Sequence, residues 1–236
     1  MSEAVAYTRR EGIAEIVLDD GKVNAMSSAF FAGLNAALDR AAGDDSGAVV
    51  VAGRGGYLSA GLNIKLLPTL PPDELTRTLV TFGRTLLRLW TFPLPTVAAV
   101  TGHAVAGGAV LAFACDRRFV ADGPFRIQMN ETAIGLTLPS WAIAICEAAM
   151  PARCHNEALL HAKPYTPAEA LASGMIDDVV APDDVVARAR TAAAALTALD
   201  RTAYAMTKQR LRSRAVAWAE QHLEAEMVGL PIRASS

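Results

Sequence analysis

The sequence predicts an α/β fold, on two observations. Short β-branched, apolar runs alternate with longer segments whose apolar residues recur at helical spacing, and beyond residue 139 helices predominate. IAEIVLDD (13–20) and GAVVVAG (47–53) read as strands. Between them Phe30, Leu34, Leu38 and Ala41 mark a helix behind the cap candidates Ser27 and Ser28. A second helix spans 73–90, with Leu75, Leu79, Phe82, Leu86 and Leu89 on one side, and the prolines of TFPLP end it. TVAAV (96–100) is a buried strand, 107–115 a helix, and RRFVA and FRIQM two further strands. Thr166-Pro167-Ala168-Glu169 matches a capping box with proline at the first helical position, and Gly174 supplies the stop. MIDDVV (175–180) is a last short strand, and from Pro182 the pattern is helical to about residue 228. The sum is a series of β-β-α units followed by a helical C-terminal region.

Composition bounds what such a chain does. Its 236 residues are 52% hydrophobic and 19% charged, enough for a large core. A net charge of −2, with the single concentrated basic segment RTAYAMTKQRLRSR (201–214), argues against nucleic acid as a partner. Cysteines at 115, 146 and 154 form no CxxC pair, which fits a reducing compartment rather than a disulfide framework or zinc site. MSEAVAYTRREG has no apolar signal core and no run is long enough to span a bilayer, so the expectation is a soluble cytoplasmic protein without a membrane partner.

Several familiar chemistries are missing. The glycines of GRGGYLSAG (53–61) and GHAVAGG (102–108) fit neither the Walker nor the dinucleotide fingerprint. Ser59 lacks the glycine two residues before it that a nucleophile elbow needs. The histidines at 103, 155, 161 and 222 show no ligand pairing, and no metal site is expected; only His103 falls in an interesting loop. Two loops remain, each after a buried strand and each rich in small residues: 53–65 and 101–108. Such loops pack a helix tightly against a strand, or they let a substrate oxygen reach free backbone N–H groups at a helix start. An oxyanion hole takes two converging donors, and two matching loops supply two.

These segments carry a resemblance. SAGLNIK (59–65) with AVAGGAVLAFACDRRFVAD (104–122) resembles the enoyl-CoA hydratase/isomerase family, the crotonase superfamily. KVNAM (22–26) is similar to that family's early N-A-L/M element, and TPAEALASGMIDDVV (166–180) to its T-x-x-E-A segment, so the match runs in order over about residues 10–210. The resemblance implies a crotonase-like spiral of β-β-α turns over 1–181, a trimerisation region over 182–236, and a homotrimer or hexamer. It implies an acyl-CoA thioester as substrate and no cofactor beyond the coenzyme A that the substrate carries. It places the thioester-oxygen donors at the backbone N–H groups of Leu62 and Gly107, beside Gly108. Ser59, Ala60, Gly61, Leu62 and Asn63 match the loop that clasps the pantetheine end; Ala25 lies where the nucleotide packs, and Lys65 falls toward the diphosphate. Asn63 stands where the family pattern has aspartate.

The carboxylates select the member. Hydratases of this family carry one glutamate in G-G-x-E and a second in P-E-x-x-x-G; here Val110 replaces the first and Glu131 occupies the second. Hydration needs a water both oriented and deprotonated, a task for two carboxylates. Moving a double bond from the 3- to the 2-position needs one group to take the α proton and return it at the γ carbon. NETAIGLTLPSW (130–141) resembles the N-E-T segment of mitochondrial-type Δ3,Δ2-enoyl-CoA isomerases. The expectation is therefore an isomerase with Glu131 as sole acid/base. A family member with hydratase or other acyl-CoA activity and a non-catalytic acyl-CoA binder remain the alternatives.

Overall fold

The computed structural model describes residues 4–228. Its strands fall into two sheets. Six strands form the larger one in the order β1 (Val5–Arg10), β2 (Ile13–Leu18), β3 (Ala48–Gly53), β5 (Thr96–Val100), β7 (Arg117–Ala121) and β9 (Asp178–Val180). The first pair is antiparallel and the rest are parallel. The smaller sheet is β4 (Gly56–Ser59), β6 (Gly102–Val105) and β8 (Ile127–Gln128), all parallel. From β3 to α4 each turn of chain thus gives one strand to the large sheet, the next to the small sheet, and then a helix. The helices are α1 (Ser28–Gly43), α2 (Pro72–Trp90), α3 (Gly107–Ala114), α4 (Ser140–Ala149), α5 (Pro167–Ser173), α6 (Val185–Leu196) and α7 (Arg201–Met227).

The α/β repeat holds, and the differences are local. β1 is a strand the sequence did not announce, because VAYTRR is polar and mostly exposed. β4 and β6 were expected as loop; four residues with glycine in each fall below any periodicity window. FRIQM contracts to Ile127–Gln128, and MIDDVV to Asp178–Val180. The helical stretch after Pro182 breaks into α6 and α7, where the Asp200 side chain accepts from Ala203 N–H and starts the second helix. The foreseen caps form: Ser27 accepts from Phe30 N–H, and Thr166 and Glu169 close a reciprocal capping box. Residues 229–236 of the expected C-terminal region lie outside the described residues.

Two apolar layers sandwich the large sheet. On one face Ile16, Leu18, Val49, Val51 and Val100 meet α1, α2, α3 and α4 in the main core. On the other, Ile13, Val50, Val97 and Phe119 meet Val185, Ala189 and Ala193 of α6. Alternate residues of β3 therefore serve both layers, which explains its unbroken apolar run. Among the described residues no helix is long and apolar enough to cross a membrane, and no acid, cysteine or histidine cluster could hold a metal. Cys115, Cys146 and Cys154 are buried and unpaired.

Candidate active site

The small sheet positions the site. β4, β6 and β8 lie parallel with Ser59 beside Ala104 and Ala104 beside Ile127. Parallel neighbours deliver their following loops to one edge. Leu62, Gly107 and Glu131 leave the sheet there, just past those paired positions. They line one cavity of about 250 Å³ together with Ala25, Ala60, Asn63, Lys65 and Val110. Segments separated by more than a hundred residues meet because the sheet register brings their ends level.

Local chemistry shapes each wall. Gly61 takes φ +83°, and a methyl on it would stand 3.0 Å from Gly107 N. A methyl on Gly108 would fall 2.0 Å from Ser59 O. The glycines are packing devices, and by packing they bring the two loops into contact. Ala106, at the start of α3, holds φ 51° and ψ −126°, a costly conformation for a residue with a Cβ. Its N–H donates to Gln128 O and its carbonyl accepts from Ala109 and Val110, so the strained turn is held from both sides. Gly107 then begins the helix with no intrahelical acceptor for its N–H, and among the described residues neither it nor Leu62 N–H has another.

Ser59, Gly61 and Gly108 stand behind the cavity lining. The Ser59 hydroxyl is fully buried, donates to Asn24 O at 2.6 Å and accepts from Gly61 N–H at 3.1 Å, so it shapes the loop. Asn63 Oδ1 accepts from Leu66 N–H, fastening the turn that carries Lys65. Asn24, which the sequence marks only through the motif KVNAM, donates to Leu18 O at 2.8 Å and Leu58 O at 3.0 Å, stitching the Ala25 loop to β4. Asp20 accepts from Lys22, Asn24 and Ala25 N–H. Burial would raise its pKa, but these donors prevail and hold it below the usual value. His103 is not part of the cavity: its ring lies between Tyr57 and Phe125, and Nδ1 accepts from Arg126 N–H.

Glu131 is the one carboxyl that lines the cavity among the described residues. Oε2 is buried without a partner, and burial pushes the pKa up to about 7. Asn130 Oδ1, also at the lining, is likewise buried without a partner. Val110, 1% exposed on α3, presents an apolar surface. The apolar wall includes Leu79 and Phe82 of α2, Trp141 and Ala142 of α4, and Met227 of α7. Phe82 stands next to Gly107, and Leu62 packs against the cluster that holds Leu79 and Met227. Phe82 and Trp141 meet edge to face at 4.7 Å. Met227 and Ala142 are wall residues that sequence reasoning missed; nothing in a surface helix or an alanine-rich one signals them.

The family model for enoyl-CoA hydratase/isomerase matches residues 8–230. The chain belongs to the enoyl-CoA hydratase/isomerase family. Human mitochondrial enoyl-CoA delta isomerase 1 is 31% identical over 204 residues, covering 85% of this chain and 68% of the relative. A Mycobacterium tuberculosis enoyl-CoA isomerase structure is similar with a TM-score of 0.91 and 38% identity, over 98% of this chain and all of that one. Relatives named as hydratases are equally near: a probable enoyl-CoA hydratase of M. tuberculosis is 34% identical over 176 residues, 74% of this chain and 67% of its own length. The crotonase-like fold is thus established. Family membership makes an acyl-CoA thioester the consistent substrate, and the two groups of names leave hydratase against isomerase to the chemistry of the cavity.

Proposed function

We propose that this chain is an enoyl-CoA isomerase that converts a 3-enoyl-CoA into the 2-enoyl-CoA, with Glu131 as its sole acid/base. The observation that carries the reading is a cavity with one carboxyl, raised to about 7, beside Val110 where a second would stand in a hydratase. A base with a pKa near working pH combines a large deprotonated fraction with real basicity.

In the proposed reaction Glu131 carboxylate removes the C2 proton. The electron pair moves into the thioester, placing negative charge on its oxygen, and the double bond conjugates as a dienolate. Leu62 and Gly107 N–H donate to that oxygen. Glu131, now protonated, returns its proton to C4; the C2–C3 double bond forms and the carboxylate is restored. The apolar surfaces of Val110, Phe82 and Leu136 keep water from the dienolate. Ala25, the Ser59–Asn63 loop and Lys65 hold the coenzyme A portion, and no resident cofactor takes part.

The test is a paired spectrophotometric assay of 3-hexenoyl-CoA isomerisation and crotonyl-CoA hydration. Turnover of the first with little of the second is expected; robust hydration would overturn the single-carboxyl argument. The hydratase reading keeps a place because relatives of comparable identity bear that name. The family resemblance also carries an expected assembly into homotrimers or hexamers. Sedimentation checks it, with the face of α7 on which Leu211 and Trp218 stand exposed as the surface to be covered.

A further inference from the structure

Glu131 stands on a segment with few ties to the rest of the fold. Residues 130–140 run from the end of β8 to the start of α4, and Asn130, Glu131, Ile134, Leu136, Thr137 and Pro139 among them line the cavity. Positions 132–135 and 137 are exposed, Ile134 by 51%, so this stretch is the wall between cavity and solvent. Its internal bonds are local: Ile134 and Leu136 N–H both donate to Glu131 O, which fixes the shape of the turn but not its place. Among the described residues it is hydrogen-bonded to other elements at two points. Near its beginning the Thr132 hydroxyl donates to Leu160 O at 3.1 Å, in an exposed contact. At its end the Glu226 carboxylate of α7 accepts from Ser140 N–H at 2.7 Å and from the Ser140 hydroxyl. The second tie is the stronger. A helix start leaves N–H groups without acceptors and carries partial positive charge, and Pro139 at the cap position supplies no side-chain bond. A carboxylate arriving from another element provides both acceptor and countercharge, and Ser140 is 6% exposed, so water competes poorly for the same bonds. The end of α7 is itself anchored: Arg84 of α2 pairs with Glu224, and Met227 packs on Leu67 and Leu79.

We propose that Glu226 is a positioning residue for Glu131: its clasp on Ser140 fixes the end of the 130–140 segment and so keeps the carboxyl buried at the cavity. The inference rests on reading Glu131 as the acid/base and adds the group that holds it in place. Nothing else among the described residues does so directly. Glu131 Oε2 has no partner, and Lys65 shares the cavity without pairing with it. The titratable group beside Glu131 is the Cys146 thiol of α4, which burial pushes well above its usual value and so keeps neutral. What raises Glu131 is therefore burial, and its burial depends on where the segment sits.

The experiment follows Glu131 itself, by carbon-13 NMR of labelled glutamate carboxyls across pH, its signal identified by its loss in Glu131→Gln. Glu226→Ala should admit water and lower the Glu131 midpoint by about one pH unit. In the same variant kcat for 3-hexenoyl-CoA should fall about tenfold with KM little changed. Glu226→Gln, which still offers a carbonyl to Ser140 N–H, should restore both. Ser140→Ala, which keeps the N–H and loses the hydroxyl, should move both in the same direction by less. Arg84→Ala frees Glu224 but leaves the clasp, so it should change neither; it separates a general loosening of α7 from loss of the clasp. A Glu131 midpoint that Glu226→Ala and Ser140→Ala leave unmoved, or one already ordinary in the parent, overturns the inference. A midpoint that moves as expected in a protein that does not isomerise 3-hexenoyl-CoA overturns the isomerase reading and leaves the clasp standing.

Discussion

At Glu131 stability and activity pull in opposite directions. A carboxyl whose folded pKa is about 7 instead of the ordinary 4.5 binds more protons folded than unfolded between those values. Stability therefore falls as pH rises through that window. Glu131→Gln removes the penalty: it should raise neutral-pH stability by roughly 1 to 3 kcal/mol, with a smaller gain at pH 4, measured by urea denaturation. The same variant should lose isomerase activity by about 10²- to 10⁴-fold while still binding coenzyme A thioesters. In the parent protein kcat/KM should rise with pH along a single ionisation near 7, since the base form is the reactive one. Val110→Glu places a second carboxyl in a position 1% exposed. It should cost about 2 kcal/mol or more and bring measurable hydration of crotonyl-CoA, a gain no merely structural change would produce.

Among the elements, the short strands of the small sheet matter more than their size suggests. β4, β6 and β8 contribute few residues, yet their register decides that Leu62, Gly107 and Glu131 face one space. The contact between β4 and the start of α3 tolerates no Cβ at Gly108, where one would lie 2.0 Å from Ser59 O. Gly108→Ala should therefore cost roughly 3 kcal/mol and lower kcat/KM more than a comparable lesion on α6, because it separates the two loops that carry the N–H groups. Sequence patterns located the loops themselves and both glycines. They could not give the strands before them, since periodicity needs more residues than these strands have. Nor did anything in Ala106 betray its strained turn, which its bond to Gln128 O on β8 holds from another element while Ala109 and Val110 N–H of α3 hold its carbonyl.

For the whole molecule, α7 is the element that joins distant parts. Near its start Lys208, buried, donates to Phe92 O, Leu94 O and Asp116, while Arg212 and the Tyr204 hydroxyl also reach Asp116. Burial alone would raise the Asp116 pKa, but the two cations outweigh it and hold the carboxyl below its usual value. That contribution is present above the unfolded value and fades as pH falls through the lower folded one. Lys208→Met should cost about 3 kcal/mol by stranding two carbonyls and weakening Asp116's pairing, read as a fall in the urea midpoint. Within the basic segment 201–214, part of the charge is spent inside, on a partner nearly a hundred residues away.

By itself the sequence determined the alternation of strands and helices, the caps at Ser27 and Thr166, the two small-residue loops, and the contrast between Val110 and Glu131. These are local: each depends on neighbours a few positions apart, or on which residue type stands at a motif position. Tertiary structure alone decided that the loops touch, that burial lifts Glu131 to about 7, and that Glu226 caps a helix that began far earlier in the chain. Those properties depend on what surrounds a group rather than on what precedes it. Desolvation and helix capping across elements have no signature in sequence spacing, because the partners are set by the register of sheets and the packing of helices.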